Sequence, residues 1–308
     1  MTNVSTADIA GAMPSEAEVE TLRLQLAQLQ DDHEDLKLLY EALMEHGEAV
    51  EDQLAEKNLL LERTQLRLEA ELQDAARYVM SILPDKRPKG PATDWLLVSS
   101  TELGGDSFGY HDIDDDHLAI YLIDVCGHGV GAALLSVTVM NVLRSASLSG
   151  ADFHEPSAVL GALNDAFPME RQDNMFFTCW YGAYQRSTGA LRYASGGHPP
   201  AIHIRKKRGR QKARWAPLST QGSMVIGALP QMSYPASVAQ IAPGDCLLVL
   251  SDGTFEVDDA GGTQLGIEKL ADYCAAHPQD LSKIFEWVRK TSGGPQLPDD
   301  FSLLKISF

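Results

Sequence analysis

The chain is short of cations, of cysteine and of long apolar runs, and each shortage removes a class of protein. Lys and Arg total 25 against 43 Asp and Glu, a formal charge of −18 over 308 residues. That excess argues against a broad electrostatic grip on nucleic acid or anionic lipid. No apolar stretch approaches the roughly 20 residues that span a bilayer. Residues 1–14 lack the basic and apolar regions of a signal peptide. The four cysteines, Cys126, Cys179, Cys246 and Cys274, are far apart and form no CxxC pair, which reads as reduced thiols in a cytoplasmic protein. Proline is missing between Pro14 and Pro84, where glycine occurs once, at Gly47. A segment without breakers over that length reads as helix.

What fills the segment is acidic and periodic. Residues 15–83 hold 17 acidic and six basic side chains, a charge of −11, whereas residues 84–308 carry only −6. Apolar residues recur at three- and four-residue steps: Leu22, Leu26, Leu29, Leu36, Tyr40, Leu43, Val50 and Leu54, then Leu61, Leu68, Leu72, Ala75, Val79 and Ile82. His33, Gly47, Asn58 and Gln65 interrupt the stripe, and the two steps of four around Asn58 form a stutter. A helix of this length would reach roughly 100 Å and cannot bury its stripe against itself. The pattern predicts a parallel coiled-coil homodimer through residues 15–83; a hairpin breaking near Gly47 is the other reading. Residues 1–14 are expected to be disordered.

From Trp95 onward the texture is mixed. Strand patterns cover Leu96–Thr101, His117–Val125, Phe176–Tyr184, Leu191–Ser195, Ala201–Arg205, Trp215–Leu218, Asp245–Ser251 and Ser302–Phe308. Helical patterns cover Gly131–Ser147, Pro156–Phe167, Ile267–Ala276 and Leu281–Lys290. Strands in consecutive pairs with helices grouped between them predict a layered α+β domain over residues 84–308. Seven of the ten residues from Arg205 to Arg214 are basic, which reads as a solvated hairpin tip or as a docking patch for an acidic phosphoprotein.

Chemistry enters through aspartates placed beside glycine at strand ends: Gly104-Gly105-Asp106, Asp124-Val125-Cys126-Gly127-His128-Gly129, Ser251-Asp252-Gly253 and Pro298-Asp299-Asp300. A carboxylate at the tip of a buried strand is costly unless its charge is compensated. Hard oxygen ligands on a rigid scaffold suit Mg²⁺ or Mn²⁺ better than zinc. Two such ions can activate a shared water and neutralise a phosphate.

These segments, together with Val130-Gly131-Ala132-Ala133-Leu134-Leu135, Gly196-Gly197-His198-Pro199-Pro200 and Asp299-Asp300-Phe301-Ser302-Leu303, resemble the SpoIIE-type bacterial branch of the PPM (protein phosphatase 2C-like) family. The likeness runs from about Leu83 to Phe308, with the motifs in the family's order. It implies an αββα sandwich of two antiparallel sheets flanked by helices. It also implies hydrolysis of phosphoserine or phosphothreonine with two Mn²⁺ or Mg²⁺ ions and a metal-bridging water as nucleophile. Carried across motif by motif, Asp124 would bridge the ions and the Val125 carbonyl would bind one. Asp252 and Asp299 would hold the other, with Asp106 supporting the site and Asp300 the adjacent alternative to Asp299. Gly105, Gly127 and Gly253 would shape the site.

His128 is a candidate general acid, although eukaryotic relatives carry their histidine two residues after the bridging aspartate and here the spacing is four. No arginine stands at a motif position that would clamp the phosphate. The resemblance makes a phosphorylated anti-sigma-factor antagonist the leading protein substrate, with an upstream signalling partner acting on the coil. Two other readings are a catalytically inactive phosphatase-fold scaffold and a diguanylate cyclase, whose signature Gly104-Gly105-Asp106-Ser107-Phe108 resembles. Against the cyclase, Ser107 replaces an acidic metal ligand, and the motif follows the helix too soon.

Overall fold

The computed structural model describes residues 15–206, 214–222, 224–259, 261–277, 280–294 and 296–308. The segment expected to be disordered, 1–14, and most of the basic run lie outside the described residues. Helix α1 (Glu16–Ile82) runs 67 residues without a break through Gly47, so the hairpin alternative does not form. Its start is a capping box. The Glu18 backbone N–H donates to Ser15 Oγ at 3.4 Å, while the Ser15 N–H donates to Glu18 Oε2 at 2.9 Å. It stops two residues before Pro84, whose ring disfavours helical geometry in the residue before it. None of its residues is buried, and the stripe leucines stand in solvent, Leu29 at 68% exposure. The chain divides into two compact units between Ala70 and Glu71.

In the second unit the strands are β1 (Ala92–Val98), β2 (Asp106–Asp112), β3 (His117–Val125), β4 (Phe177–Gln185) and β5 (Ala190–Gly196). They continue as β6 (Ala201–Arg205), β7 (Arg214–Leu218), β8 (Ser237–Gln240), β9 (Cys246–Leu250) and β10 (Phe301–Ser307). Helices α2 (Val130–Arg144) and α3 (Pro156–Ala166) fall between β3 and β4, and α4 (Ile267–Ala276) and α5 (Leu281–Ser292) between β9 and β10. The strands form two five-stranded sheets, ordered β1-β10-β9-β6-β7 and β2-β3-β4-β5-β8, with every pairing antiparallel.

Alternation along the strands builds the layers, because successive side chains point to opposite faces. In β9 and β10, Leu247, Val249, Leu304 and Ile306 join the central core with Phe108, Leu122 and Trp180. Their neighbours Leu248, Leu250 and Leu303 pack instead with Leu270 and Cys274 of α4 and Ile284 and Val288 of α5. Trp95 of one sheet meets Phe108 of the other with ring centroids 5.1 Å apart. On the far side of the second sheet, Tyr121 of β3 donates its hydroxyl to the Met140 carbonyl of α2. The expected αββα sandwich is therefore the observed one. No described helix is long and apolar enough to cross a membrane.

Two strands went unrecognised in the sequence. The segment Asp106-Ser-Phe-Gly-Tyr-His-Asp112 has Gly109 at its centre and acids at both ends, which masks β2. β8 is a four-residue edge strand, half-exposed and without an apolar run. The first of these changes the site, because Asp106 opens a strand rather than sitting in a loop.

Candidate active site

β2 and β3 pair in a register that sets Asp106 directly opposite Asp124. Like charges facing each other across a ladder destabilise it, so this pairing calls for a compensating cation or a proton. β4 then places Thr178 opposite Asp124 on the other side. After Val125 the chain turns through Gly127, whose φ of +86° belongs to the left-handed region that favours glycine. The turn is held by Gly129 N–H donating to the Leu103 carbonyl and Cys126 N–H donating to that of Phe176. α2 begins immediately afterwards.

From the other sheet, β9 ends at Leu250 and a short 3-10 turn carries Asp252 and the buried Gly253. The turn is fastened to the start of β10, since Ser251 Oγ donates to the Asp300 carbonyl and accepts the Ser302 N–H. Asp299 and Asp300 precede β10 and do different things. Asp300 is buried: its Oδ1 accepts from the Ser100 N–H and hydroxyl at 2.8 and 3.1 Å, and its Oδ2 from the Gly105 N–H at 2.8 Å. Asp299 is exposed, and one of its oxygens accepts the Asp300 N–H.

These pieces enclose a cleft of about 310 Å³ whose lining includes Asp124, Val125, Gly127, His128, Asp252, Asp299 and Thr178. Asp106 lies outside that lining, buried behind Asp124 at 4% exposure. Gly105 sits where a β-carbon would come within 2.5 Å of the Val125 carbonyl oxygen, so glycine alone allows that close approach. His128 is exposed at the cleft's rim. His198 is buried, and its Nδ1 lies 2.7 Å from the Thr178 hydroxyl. Its backbone N–H and carbonyl both pair with Ser195 Oγ, which fixes the β5–β6 loop.

The electrostatics are unbalanced. Burial, and then the charge of Asp124, push the Asp106 carboxyl well above the carboxylate range. Burial, followed by Asp252 and Asp299, pushes Asp124 up to about 7. Burial, then Asp299 and Glu256, raises Asp252 as well. Among the described residues lining the cleft there is no Lys or Arg, and neither carboxylate oxygen of Asp106 has a hydrogen-bond partner. Buried carboxylates are paired, protonated or bound to metal. Hard oxygen donors without a protein cation fit Mg²⁺ or Mn²⁺.

The sequence thus anticipated the aspartates that line the cleft and Asp106 behind them, but not Glu256 beside Asp252. It missed Ser100 and Thr178, and it left Asp299 and Asp300 open. Thr178 was detectable as the one hydroxyl in the otherwise apolar opening of β4. Ser100 follows β1 and carried no such signal.

Known proteins share this fold and resemble the chain in sequence. Phosphoserine phosphatase RsbU of Bacillus subtilis is 26% identical over 278 residues, 88% of this chain and 78% of the relative. The SiaA-PP2C domain of Pseudomonas aeruginosa superposes with a TM-score of 0.65 at 18% identity, over 80% of this chain and 98% of that one. A crystal structure of RsbX in complex with magnesium superposes with a TM-score of 0.51 at 16% identity, over 72% of this chain and 98% of that one. The profile of the family described as Stage II sporulation protein E (SpoIIE) matches residues 114–308, and the chain belongs to that family, with its PP2C-type fold.

Proposed function

We propose that the protein is a metal-dependent phosphatase that removes phosphate from serine or threonine of a protein substrate. The observation that carries this is one cleft lined by Asp124, Asp252 and Asp299 with Asp106 behind it, whose buried oxygens have no hydrogen-bond partner. Asp124, the Val125 carbonyl, Asp252 and Asp299 would hold two Mg²⁺ or Mn²⁺ ions, with Asp106 behind them. When bound, such ions supply charge neutralisation for the phosphate and activation of water at neutral pH.

The chain's own residues do the positioning. The two sheets each deliver part of the acidic set, and Asp300 ties their ends together by holding Ser100 and Gly105. Asp300 is therefore a positioning residue, while Asp299 faces the cleft. His128 stands at the rim of the cleft, where it would be the group to give a proton to the leaving oxygen of a phosphorylated side chain. With no Lys or Arg among the described residues lining the cleft, substrate selection would fall to surfaces outside it. The similarity to RsbU, named a phosphoserine phosphatase, supports a phosphoserine as the substrate; its carrier, on the family resemblance, would be an anti-sigma-factor antagonist.

Phosphate release from such a phosphoprotein, with and without Mn²⁺, tests the reading. Asp252→Asn is expected to lower turnover at least a hundredfold; activity surviving both EDTA and this substitution overturns it.

The exposed stripe of α1 supports a parallel homodimer, with an upstream partner acting on the coil. The helix end is wired to the catalytic unit: Arg144 at the last turn of α2 donates to the Ile82 carbonyl at 3.1 Å, and Leu83 is buried in the core. The Pro84 carbonyl accepts from Trp95 Nε1. α2 starts beside Gly127 and His128, so a shift of the helix end reaches the rim of the cleft along one rigid element. Sedimentation of the full chain against residues 71–308 is expected to show a dimer becoming a monomer. An unchanged mass per particle refutes the coil's role.

A further inference from the structure

A second cluster of metal-ligating side chains lies at the other end of the β2–β3 hairpin. From Asp106 to Asp112 the strand covers six steps, about 20 Å at strand rise, so this cluster is remote from the cleft. It consists of Asp114 in the hairpin turn, His117 at the start of β3 and His154 in the segment before α3. One ligand atom from each lies within 4.8 Å of the others. Asp114 Oδ2 is 3.0 Å from His117 Nδ1 and 2.8 Å from His154 Nε2. The two imidazoles meet edge to face with centroids 4.6 Å apart.

The surroundings hold these groups in place. Asp114 Oδ1 accepts the backbone N–H groups of Asp116 and His117, which fixes its carboxylate in the turn. Arg186 donates to the Asp115 carbonyl at 3.0 Å and pairs with Asp112, pinning the same turn from β4's end. Asp152 accepts from His154 Nδ1 at 2.7 Å. That last contact matters, because a metal-ligating histidine commonly donates its other ring N–H to a carboxylate, leaving the opposite nitrogen's lone pair for the ion. With Asp152 holding the Nδ1 proton, Nε2, which faces Asp114 at 2.8 Å, is the nitrogen that would give up its proton and turn its lone pair to an ion.

We infer that Asp114, His117 Nδ1 and His154 Nε2 form a site for a borderline-soft divalent ion, Zn²⁺ in the first instance, which clasps the β2–β3 turn to the segment leading into α3. Two imidazoles and one carboxylate make a three-ligand set that leaves a fourth tetrahedral position for water. Ligands about 2.0–2.1 Å from such an ion stand roughly 3.3 Å apart, so the two separations from Asp114 open by only a few tenths of an ångström, while the two imidazole nitrogens already lie within 4.8 Å of each other. The hydrogens now shared between the imidazoles and Asp114 leave to solvent as the ion enters. Nitrogen ligands distinguish this site from the aspartate set of the cleft, and the proposal does not depend on the phosphatase reading.

The test titrates the full chain with Zn²⁺ against a chromophoric chelator in millimolar Mg²⁺, which keeps the oxygen-lined cleft supplied with its own class of ion. The parent is expected to take up one Zn²⁺ that His117→Gln and His154→Gln do not. Asp152→Asn should bind that ion about tenfold more weakly, as loss of an outer carboxylate does. Equal Zn²⁺ uptake by the parent and both histidine variants overturns the site and leaves an Asp–His hydrogen-bond cluster only. Should a variant fail to fold, the parent alone decides: imidazole nitrogen resonances of His117 and His154 shift on adding Zn²⁺ if the site exists, and stay unmoved if it does not.

Discussion

Replacing Asp124 with asparagine keeps the size of the side chain and removes one charge from a crowded cleft, and its effect on stability can be worked out from the site. In the metal-free protein, burial and the neighbouring acids Asp252 and Asp299 push Asp124 from its ordinary 3.8 to about 7. A carboxyl whose folded pKa is raised binds its proton more tightly in the native state. Stability is therefore intact below about pH 4 and falls as pH rises toward 7. Each pKa unit is worth about 1.4 kcal/mol, so ionised Asp124 costs the metal-free fold about 4 kcal/mol at pH 8 and less than about 1 kcal/mol at pH 4. Asparagine removes that cost. In EDTA, Asp124→Asn should be more stable than the parent by about 4 kcal/mol at pH 8, with the advantage shrinking to near zero at pH 4.

Asp106 and Asp252 are raised as well and steepen the parent's pH slope in the same sense; comparison with the variant isolates Asp124 and its coupling to them. Urea unfolding at the two pH values, in EDTA throughout, measures the difference. Adding Mn²⁺ should then reverse the order, stabilising the parent and leaving the variant unmoved. A variant no more stable than the parent at pH 8, or equally favoured at both pH values, refutes the charge-crowding account.

Two further substitutions separate neighbours. Asp300→Asn loses the charge that holds the Ser100 and Gly105 amides, and should cost about 2–3 kcal/mol of stability by denaturant unfolding. Asp299→Asn, on an exposed side chain, should leave the unfolding midpoint within about 0.5 kcal/mol while lowering turnover at least tenfold. Gly105→Ala drives a β-carbon against the Val125 carbonyl and should weaken Mn²⁺ binding, read by calorimetric titration, at least tenfold.

The parts of the fold that were legible in the sequence are those where one local pattern acts alone. β3 and β6 match their apolar runs residue for residue, because Leu118–Ile123 and Ala201–Ile204 are buried almost without interruption. α4 was equally legible from its apolar stripe. β2 was not, since its reason for being a strand is its partner: it pairs along its whole length with β3, and only that ladder makes Asp106 face Asp124. The same holds for Asp299 and Asp300. Both border the cleft, and what separates them is that Asp300 is buried and tied to backbone amides while Asp299 is exposed, which the sequence does not say. The donors that decide it, Ser100 and Gly105, are about 200 residues away in the chain. The acidic set was legible for a physical reason too: carboxylates beside glycine at strand tips are costly in any fold that does not use them.

The contacts of Asp300 have a consequence for how the site opens. One carboxylate accepts the amide that follows β1, the amide that introduces β2, and stands itself at the entrance to β10. Those three points belong to two different sheets. The Ser100 and Gly105 amides should therefore exchange their hydrogens with solvent at a common rate, through one shared opening in which Asp299 loses its place as well. The centre then behaves as a single latch: it is assembled or released as a whole, with no state in which one sheet's half stays poised while the other's is lost.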